Sequence, residues 1–258
     1  MSGEHSRAVE KARFAARALR RRARRRRSGA GEMPDDASLK LDMEGESRTL
    51  LIAFGGIRGS EIGVPAFEFS AATDGLPVKR LFVRDLRQAW YHRGIPEFGS
   101  TLESVASGLA DLIDRDRIER LVMAGNSAGG YAAIAFGTLL QADAVLAFAP
   151  QTVLELDALA RIDDHRWDSQ LAPIAAEGAL DRDWSDLRRA LERVGGRTRY
   201  QLFYDEKLAV DRRHAELLAG VENTRLYPFG RGGHRLVRAL REAGALQLLL
   251  RRALTIPS

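Results

Sequence analysis

The chain has 258 residues, a hydrophobic content of 45% and no cysteine, which suits one large α/β domain or a domain with an appendage and excludes disulfides, thiolate metal sites and cysteine nucleophiles. The formal net charge of +5 hides an asymmetry: residues 1–30 carry eleven Lys and Arg against Glu4 and Glu10, so the remaining residues are mildly acidic. No apolar run approaches the roughly 18–20 residues of a membrane span.

Residues 7–27, RAVEKARFAARALRRRARRRR, combine strong helix formers with self-repelling charge, so the segment reads as helical or disordered. SGAGEMPDDAS (28–38) has linker composition, which sets an N-terminal region at 1–37 and a folded domain at 38–258. Contact of residues 7–27 with an anionic surface, nucleic acid or acidic lipid, competes with a simply solvated tail. The segment lacks the apolar core of a secretory signal, and the expectation is a cytoplasmic protein.

Beyond the linker, apolar runs alternate with helical patterns. SLKLDM (38–43) alternates like an edge strand; TLLIAFGG (49–56) and KRLFVRD (79–85) read as buried strands. Residues 101–116 carry apolar residues at helical period behind Thr101, an N-cap followed by Ser104 rather than the Glu or Gln of a capping box. ERLVMAG (119–125) and DAVLAFAP (143–150) are further strands, and 151–196 reads as broken helix. TRYQLFY (198–204) is a strand, Asp211–Ala219 a helix, NTRLYPF (223–229) a strand and Arg235–Leu254 one long terminal helix. This order predicts an α/β fold with a mostly parallel sheet covered on both faces.

Residues 125–129, GNSAG, stand between a strand and a small-residue helix, the context in which G-x-S-x-G marks a sharp turn carrying a nucleophile. Glycines on both sides leave room for a strained serine, and the next N–H, that of Ala128, faces the place where an oxyanion would form. Ser127 is therefore the candidate nucleophile. A serine needs a base, and His234, at the end of the flexible loop FGRGGH (229–234), is the candidate among five histidines. His214 reads as exposed or capping on its helix, and Asp163-Asp164-His165 as a solvated polar turn rather than a metal site.

LLIAFGG with its following loop, GNSAGG, TRYQLFY with acids after it, and GRGGH before a last helix together resemble the α/β-hydrolase superfamily. The resemblance spans roughly residues 38–255 and implies a small or minimal lid within 151–196, holding His165 and Trp167. It also implies the chain order serine, acid, histidine. The commonest family pattern places the acid where this chain has Leu208, so Asp211 is preferred and Asp205 is the alternative, with Glu206 a distant third; Asp211 could also be a plain helix N-cap. The family takes its second oxyanion donor from the loop after an early strand, here Gly56 or Ile57. Arg58 in that loop, and Trp90 and Tyr91 after the strand at 79–85, are candidates for substrate contact, although the two rings could equally anchor their loop on the core.

The implied activity is hydrolysis of a small-molecule carboxylic ester or thioester without cofactor or metal. The alternatives are acyl transfer by the same residues, or a non-catalytic binding protein using its basic tail.

Overall fold

The computed structural model describes residues 37–57 and 67–255. The basic segment 7–27 and Arg58 lie outside the described residues.

The most apolar runs form the middle of a seven-stranded sheet. In chain order the strands are β1 (Leu39–Asp42), β2 (Thr49–Phe54), β3 (Lys79–Val83), β4 (Arg120–Asn126), β5 (Ala144–Phe148), β6 (Arg199–Asp205) and β7 (Thr224–Phe229). Across the sheet they run β1-β3-β2-β4-β5-β6-β7. Only β1 is antiparallel, pairing Leu39 with Val83; the others are parallel, in registers such as Phe54 with Gly125 and Asn126 with Phe148. Parallel strands covered on both faces are apolar throughout, because successive side chains point to opposite layers. In β2, Leu50, Ile52 and Phe54 enter one core while Leu51 and Ala53 enter the other.

The first core is closed by α1 (Leu102–Arg115), α2 (Ala128–Leu139) and the short helices α3 (Leu156–Arg161), α4 (Asp168–Ala176) and α5 (Leu187–Val194), with Ala215 of α6 (Ala209–Leu217). The second is closed by α7 (Leu236–Glu242) and α8 (Ala245–Thr255), together with Phe67 and Phe69. The architecture is thus the expected mostly parallel sheet with helices on both faces.

Two local expectations change. The terminal helix is broken: Gly244 turns left-handed at φ +70° and separates α7 from α8, while residues 233–235 form a separate 3-10 turn. The N-terminus of α1 does carry a capping box, because the Ser104 hydroxyl accepts from Thr101 N–H (3.0 Å) while Ser104 N–H donates to Thr101 Oγ1 (3.2 Å). Serine is short, but at the third helical position it reaches the same donor that Glu or Gln would.

Helix α2 is buried on every side from Ala128 to Thr138, so it lies against the sheet with small residues at the contact. A methyl group on Gly129 would stand 2.2 Å from the Phe54 carbonyl oxygen, and one on Gly125 would stand 1.9 Å from the Gly129 oxygen. Among the described residues, no helix is long and apolar enough to cross a membrane.

Candidate active site

Strand β4 ends at Asn126, and Ser127 takes φ +57° and ψ −121°, a backbone conformation that a side chain rarely adopts. Such a residue costs roughly 1–3 kcal/mol and persists where its surroundings over-determine it. Here Ser127 N–H donates to Phe148 O (2.8 Å), and Tyr131 N–H donates to Ser127 O (3.0 Å). The turn places Oγ at the carboxyl edge of the central strands in a residue only 6% exposed. Ala128 opens α2, where the first N–H groups have no carbonyl partner within the helix. Gly56 stands beside the turn: a Cβ on it would lie 3.6 Å from Ser127 Cβ. Ile57 packs against the first core.

His234 reaches the serine from the loop after β7. Its Nε2 is 2.9 Å from Ser127 Oγ, and its Nδ1 is 2.9 Å from Asp211 Oδ2. With Nδ1–H donated to the carboxylate, Nε2 is free to accept the serine proton. Asp211 is 1% exposed at its side chain and lies in the first turn of α6, whose N-cap is Leu208. Capping is therefore not its role.

Asp205 does something else. Its Oδ2 accepts from Gly233 N–H (2.7 Å) and its Oδ1 from Lys207 N–H (2.9 Å), so it holds the backbone of the histidine loop. The structure brings Ser127, His234 and Asp211 together and puts Asp205 beneath the loop.

Trp90 and Tyr91 are corrected as substrate contacts: both are fully buried. The cause is Asp85, whose carboxylate gathers the N–H groups of Arg87 (3.0 Å), Ala89 (2.6 Å) and Tyr91 (2.8 Å). Burial pushes the Asp85 carboxyl up, against these bonds. The loop winds around it and turns both rings inward, with Trp90 and Tyr91 in left-handed backbone. Tyr91 then donates to Gly55 O (2.8 Å) and steadies the end of β2.

Gln151, just past β5, was not anticipated. Its Oε1 accepts from Trp90 Nε1 (3.3 Å), and its Nε2 donates to Ser127 Oγ (3.1 Å). Its position at the carboxyl end of a parallel strand was the available signal.

His214 and Asp164 also need correction. His214 is fully buried, and so is Asp164; Asp163 and His165 are exposed, paired with Arg213 and Asp168. Thr152 N–H donates to His214 Nδ1 (3.1 Å), which leaves the proton on Nε2 to donate to Asp164 Oδ2 (3.0 Å). Arg166 makes this burial tolerable: its Nε and Nη2 donate to Asp164 at 2.8 and 2.7 Å, and its Nη1 to Asp211 Oδ1 at 2.9 Å. Burial alone would raise the Asp164 carboxyl, but the bonds from Arg166 and His214 hold it well below the usual carboxylate range.

A further carboxylate lies nearby. Asn126 Nδ2 donates to Glu68 Oε1 (3.1 Å); burial pushes Glu68 up to about 7, opposed by that bond and by the charges of Arg241 and His234. Among the described residues, no group of three or more His, Asp or Glu side chains forms a metal site.

No family model matches the chain, and no curated protein matches it. Solved structures similar to it include the glycosylation-associated Gap123 complex of Streptococcus agalactiae (TM-score 0.59, 17% identity, 84% of this chain and 44% of that one). The chain thus spans less than half the length of that protein. Others are the capsule O-acetyltransferase of Neisseria meningitidis serogroup A (TM-score 0.57, 14% identity, 83% of this chain and 90% of that one) and MenH of S. aureus (TM-score 0.53, 14% identity, 84% and 99%). At these identities the likeness is one of fold, and with the strand order and the turn after β4 it makes the architecture that of the α/β-hydrolases.

Proposed function

We propose that the chain is a serine hydrolase that cleaves a small-molecule carboxylic ester or thioester through an acyl-enzyme. One observation carries the reading: Ser127 Oγ, His234 and Asp211 form a continuous hydrogen-bonded series, 2.9 Å at each link, on a strained turn that opens a buried helix.

Ser127 Oγ attacks the acyl carbon while its proton passes to His234 Nε2. Asp211 orients the imidazole and stabilises the imidazolium. Ala128 N–H, and a donor from Gly56 or Ile57, face the oxyanion. Collapse expels the alcohol or thiol, which takes the proton from His234. Water then adds to the acyl carbon, giving a proton to His234; the second collapse returns it to Ser127 Oγ and frees the carboxylic acid. Gln151, donating to Oγ in the resting enzyme, leaves the serine hydrogen to point at His234.

Labelling by a fluorophosphonate tests the reading. Wild type labels, and Ser127→Ala does not label or turn over short acyl esters; labelling that persists in Ser127→Ala removes Ser127 from the mechanism.

Acyl transfer is the second reading, favoured by the burial of Ser127 away from bulk water. It predicts that added alcohols divert product from acid to ester. Anion binding by residues 7–27 is a separate proposal; deletion of residues 1–30 would remove salt-dependent binding and leave esterase activity in place.

A further inference from the structure

The hydrogen bonds around Ser127 close into a circuit that contains two histidine–aspartate pairs. One runs Ser127–His234–Asp211. The other runs from Thr152 through His214 to Asp164, and Thr152 follows Gln151, which returns to Ser127 Oγ. Asp211 and His214 share helix α6, so each pair also holds that helix. A single guanidinium joins the two: Arg166 takes both oxygens of Asp164 in a fork and Oδ1 of Asp211 with its remaining arm.

We infer that Arg166 is a positioning residue for the proposed reaction: by bridging Asp211 to the buried Asp164–His214 pair, its guanidinium holds Asp211 in place and aimed at His234. The inference rests on the serine-hydrolase reading.

Asp164 and Asp211 have side chains 0% and 1% exposed and share one cation. Two buried carboxylates beside each other need a cation between them, and Arg166 supplies it to both. A planar fork with five N–H donors suits two carboxylates at once; an ammonium does not match that geometry. With Arg166 on Oδ1, the His234 Nδ1–H has Oδ2 as its nearer partner, 2.9 against 3.1 Å.

Arg166 Nη1 also stands 3.4 Å from His234 Nδ1, so its removal takes a positive charge from beside the base. The charged groups facing His234 are Asp211 from α6, Arg166 from the turn between α3 and α4, and Glu68, itself faced by Arg241 of α7.

The test is the pH dependence of fluorophosphonate inactivation and of kcat/KM for ester turnover, in the full chain. Arg166→Met removes the cation. The acid limb then moves up by roughly one pH unit, which is about tenfold in rate on the acid side, with kcat falling and KM holding. Asp164→Asn removes an anion and keeps the guanidinium, and moves the limb the other way. Arg166→Lys keeps the charge without the fork, so the limb stays while kcat falls. A purely structural Arg166 would lower the titratable fraction of active sites and leave every limb where it is in wild type; that result overturns the proposal. If Arg166→Met does not fold, the sign of the Asp164→Asn shift decides. Wild type that fails to label sinks the serine-hydrolase reading, whereas labelled wild type with unshifted variants sinks the role of Arg166 alone.

Discussion

Asp205 and Asp211 lie six residues apart, and the difference between them is which hydrogens they hold. Asp211 accepts from His234; Asp205 accepts from two backbone N–H groups, one of them in the histidine loop. Asp211→Asn should therefore lower kcat by about 10⁴, because the amide favours the wrong imidazole tautomer. Asp205→Asn retains an acceptor oxygen and should cost roughly tenfold; parallel steady-state kinetics compare them, and equal losses would contradict the assignment. Sequence spacing left both acids open, since which one meets the imidazole depends on where α6 and the β7 loop converge. The same limit applied to Trp90 and Tyr91. Aromatic residues after a strand end face a ligand or a core with similar composition, and only the hold of Asp85 on three N–H groups decides that they turn inward. Arg166 and His214 were illegible for a related reason: polar residues in a turn or on a helix read as solvated until their partners arrive from distant segments.

At the scale of elements, the turn from β4 into α2 was the most legible part of the chain, because its small residues are required by contacts within a few residues and with one neighbouring strand. Gly129→Ala would push a methyl into the Phe54 carbonyl, and should lower stability by about 3 kcal/mol. Gly178→Ala meets nothing within 4 Å and bears only the left-handed backbone penalty at φ +67°, about 1–2 kcal/mol. Urea unfolding of the two variants measures the difference; equal losses would mean that α2 does not depend on close approach to β2. Helix ends were less legible. Gly244 interrupts a run whose apolar periodicity continues on both sides, so the pattern alone joined α7 and α8.

For the whole molecule, alternating strand and helix patterns were enough for the sheet and its covered faces, because burial on both faces demands long apolar runs; β1 read as an edge strand, but its antiparallel direction did not show. What they could not show was how the molecule buries polar groups. His92 is one case: Asp181 N–H donates to its Nδ1 (2.8 Å), its Nε2–H donates to Tyr131 Oη (2.7 Å), and Tyr131 donates to Trp184 O (2.8 Å). Burial pushes this imidazole down to about 4, against the charge of Asp181. Its folded value lies below its unfolded 6.5, so its contribution is present above pH 6.5 and is lost as pH falls through 4. The loss amounts to about 3 kcal/mol in all. His92→Gln should lose less stability than wild type between pH 7 and pH 4.5 in thermal unfolding; an equal loss would place the acid sensitivity elsewhere. The central claim, an acyl-enzyme on Ser127, is tested most directly by rapid-quench mass measurement of the whole chain mixed with a short acyl ester. The account predicts one acyl adduct per chain, mapped to the peptide containing Ser127 and absent from Ser127→Ala; an adduct on another residue, or turnover that survives Ser127→Ala, would contradict it.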